Sequence, residues 1–198
     1  MNLPNKISMS RIFIIPFVVF FYLADFIPNA WGKIIALILF AITGLTDFVD
    51  GHIARKYNMV TDLGKFLDSI ADKLHMTTGL LLVVTDGTIM APYGVIMAVI
   101  IISREFIVSA LRQIAAARGK VLAADMIGKV KATFQPVGIA LFMFLAINNA
   151  RPFLGGATLA IDIISYVVMG IAVVMTIISG IYYLVKNREV LKEDKKED

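Results

Sequence analysis

The sequence predicts an all-α integral membrane protein with six transmembrane helices. Of its 198 residues, 59% are hydrophobic and only 17% are charged, whereas soluble domains hold about 45–50% apolar and about 25% charged residues. The mean hydropathy of +0.82 excludes an intrinsically disordered chain, because such chains are polar and highly charged. Each membrane crossing needs about 20 apolar residues, so residues 1–198 are predicted to form one membrane domain.

Six apolar runs define the predicted helices, and each is long enough to cross the hydrocarbon core. They cover residues 8–27, 33–57, 61–84, 90–117, 127–148 and 158–185. Pro28 and Pro152 lie in the breaks after the first and fifth runs, and Pro92 lies in the turn segment 85–94 that leads into the fourth run; proline is typical of such turns. Trp31 precedes the second run and Tyr93 lies near the start of the fourth, as expected of aromatic residues at a membrane interface. The sixth run leads into a charged tail, which we interpret as a solvated end.

The distribution of lysine and arginine predicts the orientation. With the N-terminus inside, fourteen basic residues, Arg11 among them, lie at the cytoplasmic side, and only Lys33 and Arg151 lie outside. This asymmetry predicts that the N- and C-termini are both cytoplasmic. Basic loops beside anionic lipid account for the isoelectric point near 9.3, so we expect membrane lipid as a partner and no nucleic acid.

Four aspartates lie within apolar runs, where a helix that only spans the membrane would carry apolar residues. Asp47 and Asp50 lie in the second run, Asp68 and Asp72 in the third, and one aspartate at mid-span costs about 2.5–3.5 kcal/mol. The spacings i, i+3 and i, i+4 place each pair on one helix face. Ion pairing with neighbouring basic residues is the purely structural interpretation. Intramembrane acids are functional by default, so we favour a functional cluster.

A hairpin that turns near residues 58–59 would bring the two pairs together. At about 1.5 Å per residue, Asp50 would meet Asp68 about 13 Å below the turn, and Asp47 would meet Asp72 about 19 Å below it. Four carboxylates without a cation would repel one another. Oxygen ligands alone favour Mg²⁺, Mn²⁺ or Ca²⁺ over zinc, and two ions about 4 Å apart would clamp a phosphoryl group. Gly51 and Gly64 beside these acids suit either close helix packing or space for a nucleotide.

These residues belong to one spaced pattern. It reads Asp47-x-x-Asp50-Gly51-x-x-Ala54-Arg55, then eight residues, then Gly64-x-x-x-Asp68-x-x-x-Asp72. The pattern resembles the signature of the CDP-alcohol phosphotransferase family, whose core is also six membrane helices, usually dimeric. The resemblance implies that an alcohol attacks a CDP-linked lipid and CMP leaves.

The resemblance also implies a role for each residue of the pattern. Asp47, Asp50 and Asp68 would bind one or two Mg²⁺ or Mn²⁺ ions, and Asp72 would contact metal or take the proton of the acceptor hydroxyl. The other four residues would shape the nucleotide pocket: Gly51, Ala54, Arg55 and Gly64. A homodimer is implied in the same way.

Segments 2–8, 103–112 and 128–131 resemble the bacterial branch of the family that uses sn-glycerol 3-phosphate as acceptor and CDP-diacylglycerol as donor. This resemblance implies a bacterial inner (plasma) membrane, with the active site facing the cytoplasm. The anionic acceptor needs cations, and Arg112, Lys129 and Lys131 lie at the predicted cytoplasmic ends of the fourth and fifth helices. Anchoring at the membrane surface is the alternative role for each. Arg104 and Glu105 lie deeper, where they balance charge or where Glu105 orients a basic residue.

His75 lies about one turn deeper than Asp72 on the same helix face. It would contact the acceptor, tune Asp72 or simply pack as a polar side chain between helices.

The leading hypothesis from this resemblance is transfer of a phosphatidyl group to sn-glycerol 3-phosphate, giving phosphatidylglycerophosphate and CMP. Sister enzymes that use inositol phosphate, serine or phosphatidylglycerol stay open, as do an intramembrane prenyltransferase and a small transporter. Transporters tend to show internal repeats, which this sequence lacks.

Overall fold

The computed structural model describes the backbone of residues 3–57, 61–90, 92–119, 122 and 126–191. Side chains are described for these residues except 3, 48–56, 62, 126–129 and 190–191. In this part of the chain all regular structure is helical, with six long α-helices. They are α1 (Leu3–Leu23), α2 (Trp31–Lys56), α3 (Asp62–Thr85), α4 (Tyr93–Ala117), α5 (Met126–Ala150) and α6 (Thr158–Lys186). Short 3₁₀ turns cover Pro28–Ala30, Gly155–Ala157 and Arg188–Leu191.

Each predicted apolar run coincides with one of these helices, and the largest shift is at α1. That helix begins at Leu3 rather than near residue 8, and it ends at Leu23 rather than near residue 27. Pro4 is compatible with the early start because proline is tolerated in the first turn of a helix. The polar segment Asn5–Lys6 therefore belongs to α1 and brings polar groups to its N-terminal end.

Five segments are long and apolar enough to cross a membrane. These segments are Pro4–Leu23, Pro28–Asp47, Tyr93–Ala117, Val130–Ala150 and Gly155–Lys186. Among the long helices of the described chain, α3 alone does not meet this standard. Five charged residues fall within its first half: Asp62, Lys65, Asp68, Asp72 and Lys73. Length and apolar composition therefore support five crossings directly.

The helices pack around α3 and α5. α1 runs along both α2 and α3, while α5 contacts α2, α3 and α6, and α4 contacts α3 and α6. The largest core cluster contains residues from several helices, including Val18, Leu80, Ile139, Phe142 and Met169. In lipid the association of such helices depends on close van der Waals packing. Gly79 shows this directly, because a Cβ atom there would overlap the Phe40 ring and the Ile139 side chain.

A polar cluster ties together the ends of α1, α2 and α3 that lie away from the aspartate pattern. Asp86 accepts hydrogen bonds from Tyr22 Oη at 2.7 Å, from Lys33 Nζ at 2.9 Å and from the Thr88 backbone N–H at 3.0 Å. Burial alone would raise the pKa of Asp86, but the bonds from Thr88, Lys33 and Tyr22 together hold it below its usual value. These hydrogen bonds join α1, α2 and the end of α3 at the opposite end of α3 from Asp68 and Asp72.

Candidate active site

One guanidinium joins the aspartates of α2 and α3. Arg11 of α1 donates from Nη1 to Asp47 Oδ1 and from Nη2 to Asp68 Oδ1, the second at 2.5 Å. The Arg11 side chain is only 3% exposed, whereas those of Asp47 and Asp68 are 42% and 52% exposed. A buried cation therefore holds two half-exposed carboxylates side by side, with their remaining surface facing away from α1.

The bridge adds a contact that the count from the hairpin turn did not include. The count placed Asp47 opposite Asp72, and the hydrogen bonds of Arg11 also join Asp47 to Asp68. Helix α1 makes this possible because it packs against both α2 and α3 and supplies the bridging charge. Asp72 lies one turn further along α3, within electrostatic range of Asp47, Asp68 and Arg11. Three of the four predicted acids are thus brought into one region.

Sequence reasoning missed Arg11 as a member of this cluster, because the charge count treated it as a cytoplasmic anchor. A usable signal was present, since Arg11 lies inside the apolar segment Pro4–Leu23. An ionisable residue within a membrane segment nearly always has a partner. The natural partners were the aspartates, whose excess of negative charge required a cation.

Several predicted site residues fall where side chains are not described. Asp50, Gly51, Ala54 and Arg55 lie on the last turns of α2, and Lys129 lies on the first turn of α5, but their side chains are outside the described residues. Among the side chains that are described, no three acidic or histidine groups are close enough together to hold a metal ion. The predicted metal set also includes Asp50, whose side chain lies outside the described residues.

Gly64 lies at the start of α3 in contact with the start of α1. Thr61 caps α3 by accepting a hydrogen bond from the Gly64 N–H at 3.0 Å, and Asn5 Nδ2 donates to Thr61 Oγ1 at 3.2 Å. A Cβ atom on Gly64 would lie 2.5 Å from Asn5 Oδ1 and 3.0 Å from Thr61 Oγ1. The geometry thus gives Gly64 a packing role, whatever else it contacts when a substrate is bound.

A cavity of about 270 Å³ lies between α3, α4 and α5. Six charged residues line it, and they come from all three helices. They are Asp72 and Lys73 of α3, Arg104, Glu105 and Arg112 of α4, and Lys131 of α5. Two carboxylates and four cations therefore line one space, and this lining suits a small anionic molecule that carries a hydroxyl group.

Within this cavity Glu105 accepts hydrogen bonds from two cations. Lys131 Nζ donates to Glu105 Oε1, and Arg104 Nη1 donates to the same oxygen at 3.5 Å. Of the two interpretations of Glu105, the geometry favours orientation of a basic residue, and that residue is Lys131. Arg112, which shares a helix face with Glu105, instead donates from Nε to Tyr183 Oη of α6 at 3.0 Å.

His75 lies apart from the cavity lining, in the contact between α2 and α3. Its ring stacks on Phe40 with centroids 4.0 Å apart, and Nδ1 lies 3.0 Å from Thr43 Oγ1. The same Thr43 hydroxyl lies 2.8 Å from the Phe40 carbonyl oxygen, so the His75 ring and the α2 backbone share one polar contact. His75 is buried, so the geometry favours a packed polar side chain over contact with an acceptor.

The family follows from comparison with known proteins. Residues 1–178 match the family model described as CDP-alcohol phosphatidyltransferase, so the chain belongs to this family of membrane transferases. It is similar to the CDP-diacylglycerol–glycerol-3-phosphate 3-phosphatidyltransferase of Bacillus subtilis (strain 168), at 38% identity over 96% of this chain and 97% of the relative. The enzyme of the same name from Rickettsia felis is 32% identical over 92% and 93% of the two chains. That from Salmonella typhimurium is 38% identical over 72% and 77%.

Proposed function

We propose that the protein transfers the phosphatidyl group of CDP-diacylglycerol to sn-glycerol 3-phosphate, giving phosphatidylglycerophosphate and CMP. The observation that carries this proposal is the cavity in which Asp72 faces Arg112 and Lys131. A dianionic acceptor needs cations for its phosphate and a base near its hydroxyl, and this cavity supplies both. Relatives that carry the name of this activity match over nearly the whole chain.

Divalent cations fit the acidic cluster by the chemistry of its donors. Asp47 and Asp68 already converge on one cationic group, and carboxylate oxygens are the ligands that Mg²⁺ and Mn²⁺ prefer. We propose that Asp47, Asp50, Asp68 and Asp72 hold one or two such ions. Bound there, the ions would neutralise the diphosphate of CDP-diacylglycerol and stabilise the departing CMP. Gly51, Ala54, Arg55 and Gly64 would border the nucleotide.

The proposed chemistry then needs little from the protein beyond placement and one proton transfer. Asp72 takes the proton of the acceptor's primary hydroxyl as its oxygen attacks the β-phosphorus of the donor. The bond from that phosphorus to the bridging oxygen breaks, and CMP leaves with the electron pair. Arg112 and Lys131, with Lys129 as the third cation, hold the acceptor phosphate so that the hydroxyl is in line.

The membrane arrangement is part of the proposal. We place α3 across the membrane as the sixth span, with its charged first half at the cytoplasmic end and both termini inside. The donor lipid then enters from the bilayer and glycerol 3-phosphate from the cytosol, at an active site that faces the cytoplasm of a bacterial cell. Residues 1–198 form one catalytic domain, and the working unit is a homodimer.

The direct test is CMP release by the purified protein with CDP-diacylglycerol and Mg²⁺ or Mn²⁺, with and without glycerol 3-phosphate. Release should require glycerol 3-phosphate and fall at least about 100-fold in Asp72→Asn, since general-base catalysis contributes about 10²–10⁴-fold. Asp162→Asn, an acid on α6 that is not part of the cavity lining, is the matched control. Release only with inositol phosphate, serine or phosphatidylglycerol would identify a sister enzyme. No release with any alcohol would refute the transferase and return the prenyltransferase and transporter hypotheses.

A further inference from the structure

One face of α6 contacts both arginines of the cavity from behind. Ser179, Gly180 and Tyr183 lie within about one helical turn and are turned toward α4, where they contact Arg104 and Arg112. None of the three lines the cavity itself. Their polar contacts with the cavity lining are therefore made through the two arginines.

Tyr183 fixes the guanidinium of Arg112. Its side chain is 2% exposed and packs in a small core cluster with Val108, Leu111 and Ala115. Its hydroxyl oxygen accepts from Arg112 Nε at 3.0 Å, and its ring centroid lies 5.3 Å from the guanidinium carbon, within the range of a cation–π contact. Because the hydrogen bond uses Nε, it does not compete with the two Nη groups for a phosphate.

Ser179 and Gly180 hold Arg104 in a comparable way. Ser179 is fully buried, and its Oγ accepts from Arg104 Nη2 at 2.9 Å while it donates to the Thr176 carbonyl at 3.3 Å. That donation turns a lone pair of Oγ toward the arginine. At the next position, a Cβ on Gly180 would lie 3.0 Å from Arg104 Cγ, so glycine provides the space in which the arginine stem crosses α6.

We propose that Ser179, Gly180 and Tyr183 form a positioning face that sets Arg104 and Arg112 as receptors for the phosphate of the acceptor. The inference rests on the proposed function and extends it to a helix outside the motif and outside the cavity. An arginine that is already held in place loses less conformational freedom when it binds a phosphate. The face should therefore act on acceptor affinity and not on the donor lipid or on the chemical step.

The test is Tyr183→Phe, which keeps the ring and its packing and removes only the hydroxyl. We expect KM for glycerol 3-phosphate to rise several-fold, up to about tenfold, because the Arg112 side chain must then be ordered when the phosphate binds. The kcat and the KM for CDP-diacylglycerol should change less than about twofold by the same reasoning. Tyr182→Phe is the matched control, because Tyr182 is adjacent on α6 but 45% exposed and outside both core clusters.

A second pair of variants keeps the proposal testable if Tyr183→Phe folds poorly. Ser179→Ala removes the acceptor for Arg104, whereas Ser165→Ala removes an equally buried serine of α6 whose hydroxyl bonds only to the Ile161 carbonyl in the described contacts. Only Ser179→Ala should raise KM for glycerol 3-phosphate.

The outcomes separate this inference from the proposed function. If the unmodified protein releases no CMP in response to glycerol 3-phosphate, the proposed function is refuted. If the unmodified protein is active and Tyr183→Phe and Ser179→Ala keep its KM for glycerol 3-phosphate, the positioning face alone is refuted. A fall in kcat together with a rise in both KM values and a lower melting temperature would show a purely structural role and would also overturn the inference.

Discussion

Arg11→Gln tests whether the buried guanidinium serves as the counter-charge of the acidic cluster. The variant keeps most of the side-chain volume but leaves Asp47 and Asp68 without the cation that joins them. Removing one partner of a fully buried ion pair costs about 3–5 kcal/mol. Since both carboxylates are about half exposed, solvent screening reduces the expected loss to about 2 kcal/mol.

The assay is thermal unfolding in detergent, first with a chelator and then with Mg²⁺ or Mn²⁺. For a chain of this size, about 2 kcal/mol corresponds to a melting temperature lower by roughly 4–8 °C. A divalent ion that binds the freed carboxylates would stabilise the folded state by mass action, so added metal should raise the melting temperature more in Arg11→Gln than in the unmodified protein. Lys6→Gln removes the same charge from an exposed position of α1 and should show neither effect. Equal melting temperatures in chelator for the two variants would refute the counter-charge role, and equal metal shifts would refute the link to metal binding.

Two further predictions concern the ends of the bundle. Gly64→Ala should lower the melting temperature, because the new Cβ meets Asn5 Oδ1 and Thr61 Oγ1 and such overpacking costs about 1–3 kcal/mol. Gly170→Ala is the control, because a Cβ there meets nothing within 4 Å. Equal melting temperatures for the two variants would contradict the packing role of Gly64. The pKa of Asp86 is lower in the folded protein, so its stabilising contribution is present above the unfolded value near 3.8 and is lost as the pH falls through the folded pKa. The stability difference between the unmodified protein and Asp86→Asn should therefore be constant from pH 7 to 5 and shrink below about pH 4. Thermal unfolding across that pH range measures it. A difference that grows on acidification would contradict the lowered pKa of Asp86.

The sequence was sufficient to predict the helical class and the approximate position of each helix. Long apolar runs have one stable form in a membrane, because only a helix satisfies its own backbone groups there. The acid-rich second and third helices were also predictable, since the positions of Asp47, Asp68 and Asp72 are read directly from the chain. Helix α3 is not apolar enough to count as a membrane span on composition, because its first half is charged. The same charged half carries Asp68 and Asp72 of the candidate site.

Contacts between distant helices were not predictable in the same way. Nothing local to Arg11 indicates that α1 lies against both α2 and α3, and nothing local to Tyr183 indicates that its hydroxyl meets Arg112. The partner of Glu105 was open for the same reason: the shared helix face suggested Arg112, whereas the structure brings Lys131 of α5 to Glu105 at the cavity between the two helices. Such pairings depend on interhelical geometry, which a single sequence pattern does not contain.

The position of Asp72 on α3 connects the two halves of the proposed site. Asp68 faces α1 and α2 through Arg11, while Asp72 lines the cavity against α4 and α5. Four residues along a helix advance the chain by about 6 Å and turn it by about 40°, so one helix presents neighbouring carboxylates to two adjacent spaces. A donor diphosphate held at the Asp47–Asp68 side and an acceptor hydroxyl held at the cavity side would then meet at Asp72. Under the proposed function, α3 must therefore carry charge where a simple membrane span would carry apolar surface, because both substrates meet its carboxylates.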